Sequence, residues 1–100
     1  MKGETYDGAA IVLTDDDTVA TALDDLRTGR TFTIDDRIVE LVEDVEFGHK
    51  FALEAIDSGE RVTKYGEVIG EATQPIEPGE WVHTHNLRSL RAQPDAEGES

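Results

Sequence analysis

The stretch that indicates the fold is Ile56-Asp57-Ser58-Gly59-Glu60, which leads into the strand-like residues 61–64. The same order of residue types, an apolar residue, two further residues, a glycine and a charged residue, occurs at 26–30 and 76–80. A glycine at this position is typical of a tight turn with positive φ, and the leading Leu or Ile is expected to fill the core. The spacings are unequal, so we interpret the pattern as one turn device used three times rather than as a solenoid repeat.

Most of the chain between these turns has the pattern of short β-strands. Alternating apolar residues and β-branched runs, bounded by turn residues, favour strands. The predicted strands are residues 9–13, 31–34, 38–42, 50–53, 61–64, 68–73 and 81–85. So many short strands predict a compact, mostly-β domain.

One helix is expected near the N-terminus. Apolar residues recur at i, i+3, i+4 and i+7 from Val19 to Leu26, which is the spacing of an amphipathic helix. Asp15–Asp17 would lie at its positive end, and Gly29 follows its last turn. The predicted fold class is therefore mostly-β α+β, with one short amphipathic helix.

The length leaves room for one domain. A chain of 100 residues hides only about 60–65% of its unfolded surface, so one small core is expected. We assign that domain to residues 9–91. Residues 1–8 are expected to be a flexible N-terminus and residues 92–100 a disordered acidic tail, because small, polar and acidic residues offer little apolar area to offset the entropy of ordering.

Charge is the dominant feature of the composition. There are 23 Asp plus Glu and 9 Lys plus Arg, which gives a formal net charge of −14. Self-repulsion at this density destabilises an ordinary domain unless salt screens it, and at molar salt the Debye length falls to about 3 Å. The composition thus favours a halophilic setting, such as the cytoplasm of a halophilic archaeon. An acidic disordered protein is the alternative, but 37% of the residues are apolar and they are patterned.

Several functional classes are excluded or disfavoured. The chain has no cysteine, which excludes disulfides, a thiolate nucleophile and cysteine-ligated metal sites. No basic stripe is present to neutralise phosphates, so nucleic-acid binding is disfavoured. No apolar run is long enough to span a membrane, and the first residues lack the apolar region of a secretory signal. We therefore expect a cytoplasmic protein that binds neither membrane nor nucleic acid.

The first candidate segment for chemistry is Phe47–Leu53, in which Gly48 precedes His49 and Lys50. Neighbouring side chains of a regular strand point to opposite faces, so this histidine and lysine should not both face one ligand. The alternative is a histidine at the start of a strand beside a solvated lysine.

The second candidate segment is Lys64–Ala72. Gly66 and Gly70 are expected to bracket a hairpin-like bend that presents Lys64 and Tyr65 at its rim. A lysine gives an anionic substrate a point charge, and a tyrosine supplies a hydroxyl and an apolar wall. An ordinary glycine turn explains the segment about equally well.

The third candidate segment is Trp81–Asn86, which contains two of the three histidines beside the only tryptophan. If the segment is extended, His83 and His85 share a face and stand about 6–7 Å apart. That arrangement suits an acid–base pair or two ligands of a metal ion. Asn86 is a candidate contact for a carboxylate or hydroxyl group.

Together these segments resemble the SAF domain of the altronate/galactarate dehydratase family. The resemblance rests on Phe47–Leu53, residues 56–62, Lys64–Ala72 and residues 82–86, in the family's order and spacing. It implies a β-clip fold and a lyase that removes water from a hydroxylated sugar acid. It also implies a divalent metal, either iron, manganese or magnesium.

The resemblance further implies a partner. In fused family members this domain precedes a much larger catalytic domain, and split members, among them a sulfolactate sulfo-lyase, have a separate small subunit. The chain is similar to such a small subunit, which is expected to act with a large catalytic subunit that holds most of the metal ligands. Whether it also forms a homo-oligomer is open.

For the site, the resemblance implies catalytic roles for His49, His83 and His85, with the last two as candidate metal ligands. Substrate contacts are expected from Lys50, Lys64, Tyr65 and Asn86, and the substrate is a sugar acid or sulfolactate. The alternative is a stand-alone β-clip domain that binds a sugar acid, or an interaction module, without catalysis. A large-subunit gene next to this one would favour the enzyme.

Overall fold

The computed structural model describes residues 4–14, 16–34 and 37–89. These residues contain ten short β-strands. They are β1 (Glu4–Tyr6), β2 (Ala10–Val12), β3 (Val19–Ala22), β4 (Thr31–Ile34), β5 (Arg37–Glu40), β6 (Lys50–Ala52), β7 (Arg61–Lys64), β8 (Glu67–Ala72), β9 (Trp81–Val82) and β10 (Leu87–Ser89). The mostly-β prediction is confirmed, and the predicted strands coincide with β2 and β4–β9 to within a few residues.

The strands form three antiparallel sheets. The largest has the order β1-β2-β3-β6-β9, the second β10-β8-β7, and the third is the hairpin β4-β5. Strand β6 lies between β3 and β9, where Phe51 pairs with Ala20 on one side and Trp81 on the other. The chain thus brings the residues next to His49 beside those next to His83.

Four glycine turns organise the fold, three of which the sequence pattern predicts. Gly29, Gly48, Gly59 and Gly79 have φ between 84° and 92°. In each turn the residue after the glycine donates its N–H to the carbonyl three residues earlier, at 2.9–3.1 Å, as in a type II turn. The fourth copy, residues 45–49, was not among the predicted turns.

The apolar residue that precedes each turn is buried and paired. Leu26 and Val45 exchange backbone hydrogen bonds at 2.7 and 2.9 Å, and Ile56 and Ile76 exchange two at 2.8 Å. All four are at most 2% exposed. They contribute to two clusters, one containing the stacked Phe32 and Phe51 rings and the other containing Ile56 and Ile76. The predicted core role of these positions is confirmed.

The predicted amphipathic helix is wrong: Val19–Ala22 forms strand β3. All four of its residues are buried, because Ala20 and Ala22 pack in the first core cluster and Val19 packs in the second. A helix would present only one face to the core, whereas here consecutive residues are covered on both faces. Leu23, which the helical spacing placed on the apolar face, is 37% exposed.

The N-terminal segment also differs from expectation. Residues 4–6, predicted to be flexible, form β1 and pair with β2, and the Tyr6 ring packs against the first core cluster. Aromatic and β-branched residues such as Tyr6 and Thr5 favour strands, which explains the pairing. The predicted tail, residues 92–100, lies outside the described residues. Among the described residues, no helix is long and apolar enough to cross a membrane.

Candidate active site

The three histidines gather around Trp81. The ring centroids of His83 and Trp81 are 5.0 Å apart and those of His85 and Trp81 are 5.1 Å apart. His49 lies 5.5 Å from Trp81 and 5.2 Å from His83, and its Nδ1 accepts a hydrogen bond of 3.0 Å from the indole N–H. His49 thus groups with His83, and both side chains are half-buried at the surface rather than in the apolar core.

The route by which the chain builds this histidine cluster differs from the predicted one. Strand β9 ends at Val82, so residues 83–85 do not continue it and the alternation predicted for an extended segment does not apply. The chain turns instead, and the N–H of Asn86 donates to the carbonyl of His83 at 3.1 Å. Both later histidines nevertheless contact Trp81, because the turn folds back over its ring.

Asn86 makes that turn and is not placed to contact a ligand. Its side chain is 1% exposed. Its Oδ1 accepts a hydrogen bond of 2.9 Å from the His83 N–H, and its Nδ2 donates one of 2.9 Å to the Trp81 carbonyl. The predicted substrate contact is corrected to a structural role, since the amide is buried and engaged on both sides with the backbone it orients.

Beside the histidine cluster lies a recess of about 320 Å³, which we call the lysine recess. Its charged and basic walls are Lys50 from β6, Lys64 from the end of β7 and His83 from the turn. The remaining lining residues are Ile69, Thr84, Leu87 and Ser89. The structure thus brings together three of the predicted site residues, and it places two of the chain's three lysines in one recess of a strongly acidic protein.

The electrostatics of the lysine recess follow from burial and like charges. Burial lowers the pKa of Lys50, and the nearby Lys64 ammonium lowers it further. The pKa of His83 is lowered in the same way, first by burial and then by the neighbouring His49, Lys50 and His85. Concentrated positive charge with few compensating acids makes the recess suited to an anion.

A tight hairpin turn carries Lys64 to the recess. Tyr65 and Gly66 have φ of 56° and 80° and connect β7 to β8, which confirms the predicted bend. The Lys64 Nζ lies 4.8 Å from the centroid of the Tyr65 ring. Tyr65 itself does not line the recess, and its hydroxyl donates to Thr21 Oγ1 at 3.2 Å. The structure therefore places this tyrosine next to the recess, where it contacts Lys64, and its predicted substrate contact stays a prediction.

Gly70 does not bracket the bend as expected. It lies inside β8, paired with Val62 and Ser89. A Cβ at this position would overlap the carbonyl oxygen of Arg88, so the absence of a side chain allows β10 to approach β8 closely. This packing delivers Leu87 and Ser89 to the lysine recess.

His49 faces a second, smaller recess of about 140 Å³, lined also by Trp81, Asp44 and Glu46. The expectation that His49 and Lys50 face different sides is consistent with this placement, since Lys50 lines the lysine recess. The two carboxylates were not predicted as site residues. In the sequence, Asp44 directly precedes the fourth turn and Glu46 lies within it, and this copy of the turn was not predicted.

The comparison with known families fits this geometry. Residues 8–90 match the altronate/galactarate dehydratase SAF domain. The chain belongs to this family.

Relatives of this SAF domain are dehydratases and a sulfo-lyase subunit. It is 45% identical over 86 residues to altronate dehydratase of Escherichia coli (strain K12), covering 79% of this chain and 17% of the relative. It is 46% identical over 48 residues to (2R)-sulfolactate sulfo-lyase subunit alpha of Paracoccus pantotrophus, covering 48% of this chain and 72% of that subunit. Galactarate dehydratase (L-threo-forming) of Escherichia coli (strain K12) is 36% identical over 84 residues. The SAF domain thus spans about a sixth of the dehydratases it matches.

The described residues of this SAF domain do not fit a metal ion by themselves. Nowhere in residues 4–14, 16–34 and 37–89 do three histidine or carboxylate side chains come together as a ligand set. In addition, Nδ1 of His49 is taken by the indole N–H. Three or four such ligands are usual for a protein-bound transition metal.

Proposed function

We propose that the chain is the small subunit of a two-chain lyase of the altronate/galactarate dehydratase family. The reaction is the elimination of water from a hydroxylated sugar acid, or of sulfite from sulfolactate, carried out together with a large catalytic subunit. The names of the relatives support this class of reaction, and two of the relatives are themselves lyase subunits. The small mostly-β fold of this chain, which we interpret as a β-clip, positions the residues of the site.

The observation that carries the proposal is the lysine recess. In a chain with a net charge of −14, Lys50, Lys64 and His83 line a single recess. A carboxylate or sulfonate suits such a recess, because the lysines supply two positive charges and hydrogen-bond donors. Thr84 and Ser89 add hydroxyl groups suited to a hydroxylated chain.

The elimination itself requires a base near the α-carbon and an acid near the leaving group. We assign the two lysines to hold the substrate's acidic group, which also makes the neighbouring α-proton more acidic. His83 is the candidate for proton transfer, because its lowered pKa keeps it neutral at pH 7 and able to accept a proton. The rings of His49 and His85 contact Trp81, which also contacts His83. We assign these two histidines to proton transfer together with His83.

The large subunit is proposed for two reasons. The lysine recess is formed by one side of a small domain, and its histidine rim at His85 is exposed, so a second surface is needed to exclude water from the substrate. The divalent metal implied by the family resemblance also needs ligands beyond those gathered in the described part of this chain. We assign those ligands to the partner and route no step of the reaction through the metal.

Purification of the native complex tests the proposal. The complex is assayed for keto-acid formation from galactarate and altronate and for sulfite release from sulfolactate. We expect turnover by the complex and none by the isolated chain. Lys50→Met or Lys64→Met should raise the KM of the complex at least about tenfold, the effect of one lost charge contact. Arg61→Met is the matched control, since this exposed cation lies on the same strand as Lys64 but outside the recess.

Two outcomes would contradict the proposal. If the chain purifies alone and binds a sugar acid without any turnover-competent partner, it is a stand-alone binding domain. If both lysine variants of an active complex behave as Arg61→Met does, the lysine recess is not the substrate site.

A further inference from the structure

A buried carboxylate stands just outside the lysine recess. The Asp17 side chain is 3% exposed and accepts hydrogen bonds with both of its oxygens. Oδ2 accepts from the N–H groups of Leu13 at 3.1 Å and Thr14 at 3.4 Å, and Oδ1 accepts from the Thr14 hydroxyl at 2.8 Å. Oδ1 also accepts a bond of 2.9 Å from the N–H of Gly66, 49 residues away in sequence. One carboxylate therefore joins two distant loops.

This carboxylate is charged at neutral pH in spite of its burial. Burial alone would raise the pKa of Asp17, but hydrogen bonds from Gly66, Thr14, Leu13 and Tyr65 outweigh it and the pKa is lowered. A buried carboxylate of this kind is stable only while its donors stay in place. The hydrogen-bond donors therefore keep Asp17 charged, and the charged carboxylate in turn holds the donors in place.

The loop that Asp17 holds contains a residue in a strained backbone conformation. Tyr65 adopts φ of 56°, a left-handed conformation that is unfavourable for a residue with a side chain. The bond from the adjacent Gly66 N–H to Asp17 compensates for that cost. Without it, the turn is expected to relax toward other hairpin geometries.

The geometry of this turn determines where Lys64 lies. The Tyr65 ring is fixed at its far end by the bond from its hydroxyl to Thr21, a residue of β3 that pairs with Lys50. The Lys64 Nζ lies 4.8 Å from the centroid of that ring. A contiguous series of contacts thus runs from the Asp17 carboxylate through the turn to the Lys64 ammonium.

We propose that Asp17 is a positioning residue for the lysine recess, whose buried carboxylate holds the Tyr65–Gly66 turn in the conformation that places Lys64 beside Lys50. This inference rests on the proposed role of the recess as an anion site. It adds to that role a residue that is not among those lining the recess and that the helical spacing placed at the start of a helix.

The test is Asp17→Asn in the 100-residue chain, with galactarate as the probe. The ε-methylene protons of Lys64 are shielded by the Tyr65 ring, and we expect their NMR signal to move downfield to the position of a free lysine. The amide proton of Gly66 should move upfield as its carboxylate acceptor is lost. Affinity for galactarate should fall by about tenfold.

The direction of the affinity change separates positioning from simple electrostatics. Removing a negative charge near an anion site, with Lys64 left in place, would strengthen the binding of an anion. Glu60→Gln is the matched control, because it removes the same charge from a carboxylate that accepts a backbone hydrogen bond, from Asp57 at 2.9 Å, outside the recess. We expect it to leave the Lys64 signal unchanged and galactarate affinity undiminished.

A milder variant keeps the test decisive if Asp17→Asn does not fold. Thr14→Val removes the hydroxyl donor to Oδ1 but keeps the Cγ2 methyl group that lies near Gly66, and it should cause smaller changes of the same sign. An unchanged Lys64 signal, or unchanged or tighter binding, in the folded variants would overturn the inference. If neither galactarate nor sulfolactate binds the unaltered chain, the proposed role of the recess as an anion site fails, whereas the Lys64 signal still decides whether Asp17 positions the turn.

Discussion

The indole N–H of Trp81 donates a hydrogen bond to Nδ1 of His49 at 3.0 Å. While this bond is present, Nδ1 of His49 carries no proton, and a neutral His49 therefore carries its proton on Nε2. A tryptophan on β9 thereby sets the tautomer of a histidine beside β6. The only tryptophan of the chain thus packs against the first core cluster and also orients a histidine of the site.

Trp81→Phe tests that relationship. The substitution retains an aromatic ring for the histidines to pack on but removes the N–H donor, so His49 should populate both tautomers. The free energy of unfolding is expected to fall by about 1 kcal/mol, the usual contribution of one hydrogen bond. Side-chain nitrogen shifts of His49 measure the tautomer directly, and a His49 that remains in one tautomer would show that other contacts set it.

A second prediction concerns the electrostatic coupling of the two lysines. Because both burial and the Lys64 charge lower the pKa of Lys50, Lys64→Met should raise that pKa toward 10.5 without fully restoring it. A lysine side-chain NMR titration provides the measurement. Arg61→Met, which removes a charge from the same strand but outside the recess, should have little effect. A Lys50 pKa that stays constant or falls in Lys64→Met would contradict the shared recess.

The pH dependence of His83 has a definite sign. Its pKa is below 6.5 in the folded chain, so the unfolded chain binds this proton more readily. The contribution of His83 to stability is thus fully present above about pH 6.5, and it is lost as the pH falls through the pKa of the folded chain. A proton NMR titration should give a midpoint below 6.5, and His83→Gln should remove that part of the acid destabilisation. A midpoint at or above 6.5 would reject the environment described here.

Two equivalent turn glycines should differ sharply in their tolerance of alanine. Gly59 and Gly79 have φ of 89° and 87°, so either substitution incurs the left-handed strain of about 1–2 kcal/mol. At Gly59 a Cβ meets nothing within 4 Å, whereas at Gly79 it would overlap the carbonyl oxygen of Glu40. Gly79→Ala should therefore lower the free energy of unfolding far more than Gly59→Ala. Equal losses in denaturant titrations would contradict the close approach of this turn to β5.

A fifth prediction follows from composition. With a net charge of −14, the chain should gain stability as KCl rises to molar concentration, because screening reduces repulsion among its carboxylates. Thermal melts across that range provide the measurement, and a Tm that stays flat or falls would reject the halophilic interpretation.

The sequence predicts the strands better than it predicts the site. The turn device at Gly29, Gly59 and Gly79 follows from a local rule, since a glycine at the third position of such a turn accepts positive φ. Strands β4 and β7 match their predicted bounds because alternation and turn residues delimit them locally. These features need no knowledge of distant parts of the chain.

The errors come from features that tertiary pairing decides. The spacing from Val19 to Leu26 fits a helix, and only the location of β3 between β2 and β6 makes the segment a strand. Asn86 was predicted to contact a ligand because it is a polar residue beside two histidines. The sequence alone does not distinguish an asparagine that faces solvent from one that is bonded to its own backbone. The hydrogen bond that the Gly66 N–H donates to the Asp17 carboxylate joins residues 49 positions apart and leaves no local signal in the sequence.

The central claim is that the lysine recess binds the acidic substrate, and an NMR titration with galactarate and sulfolactate tests it most directly. We expect saturable shifts of the Lys50 and Lys64 ε-methylene signals and the His83 ring signals, with little change at Arg61, and a loss of at least about tenfold in affinity for Lys50→Met. Saturable binding of either acid that leaves these three residues unperturbed, or that Lys50→Met does not weaken, would contradict the account.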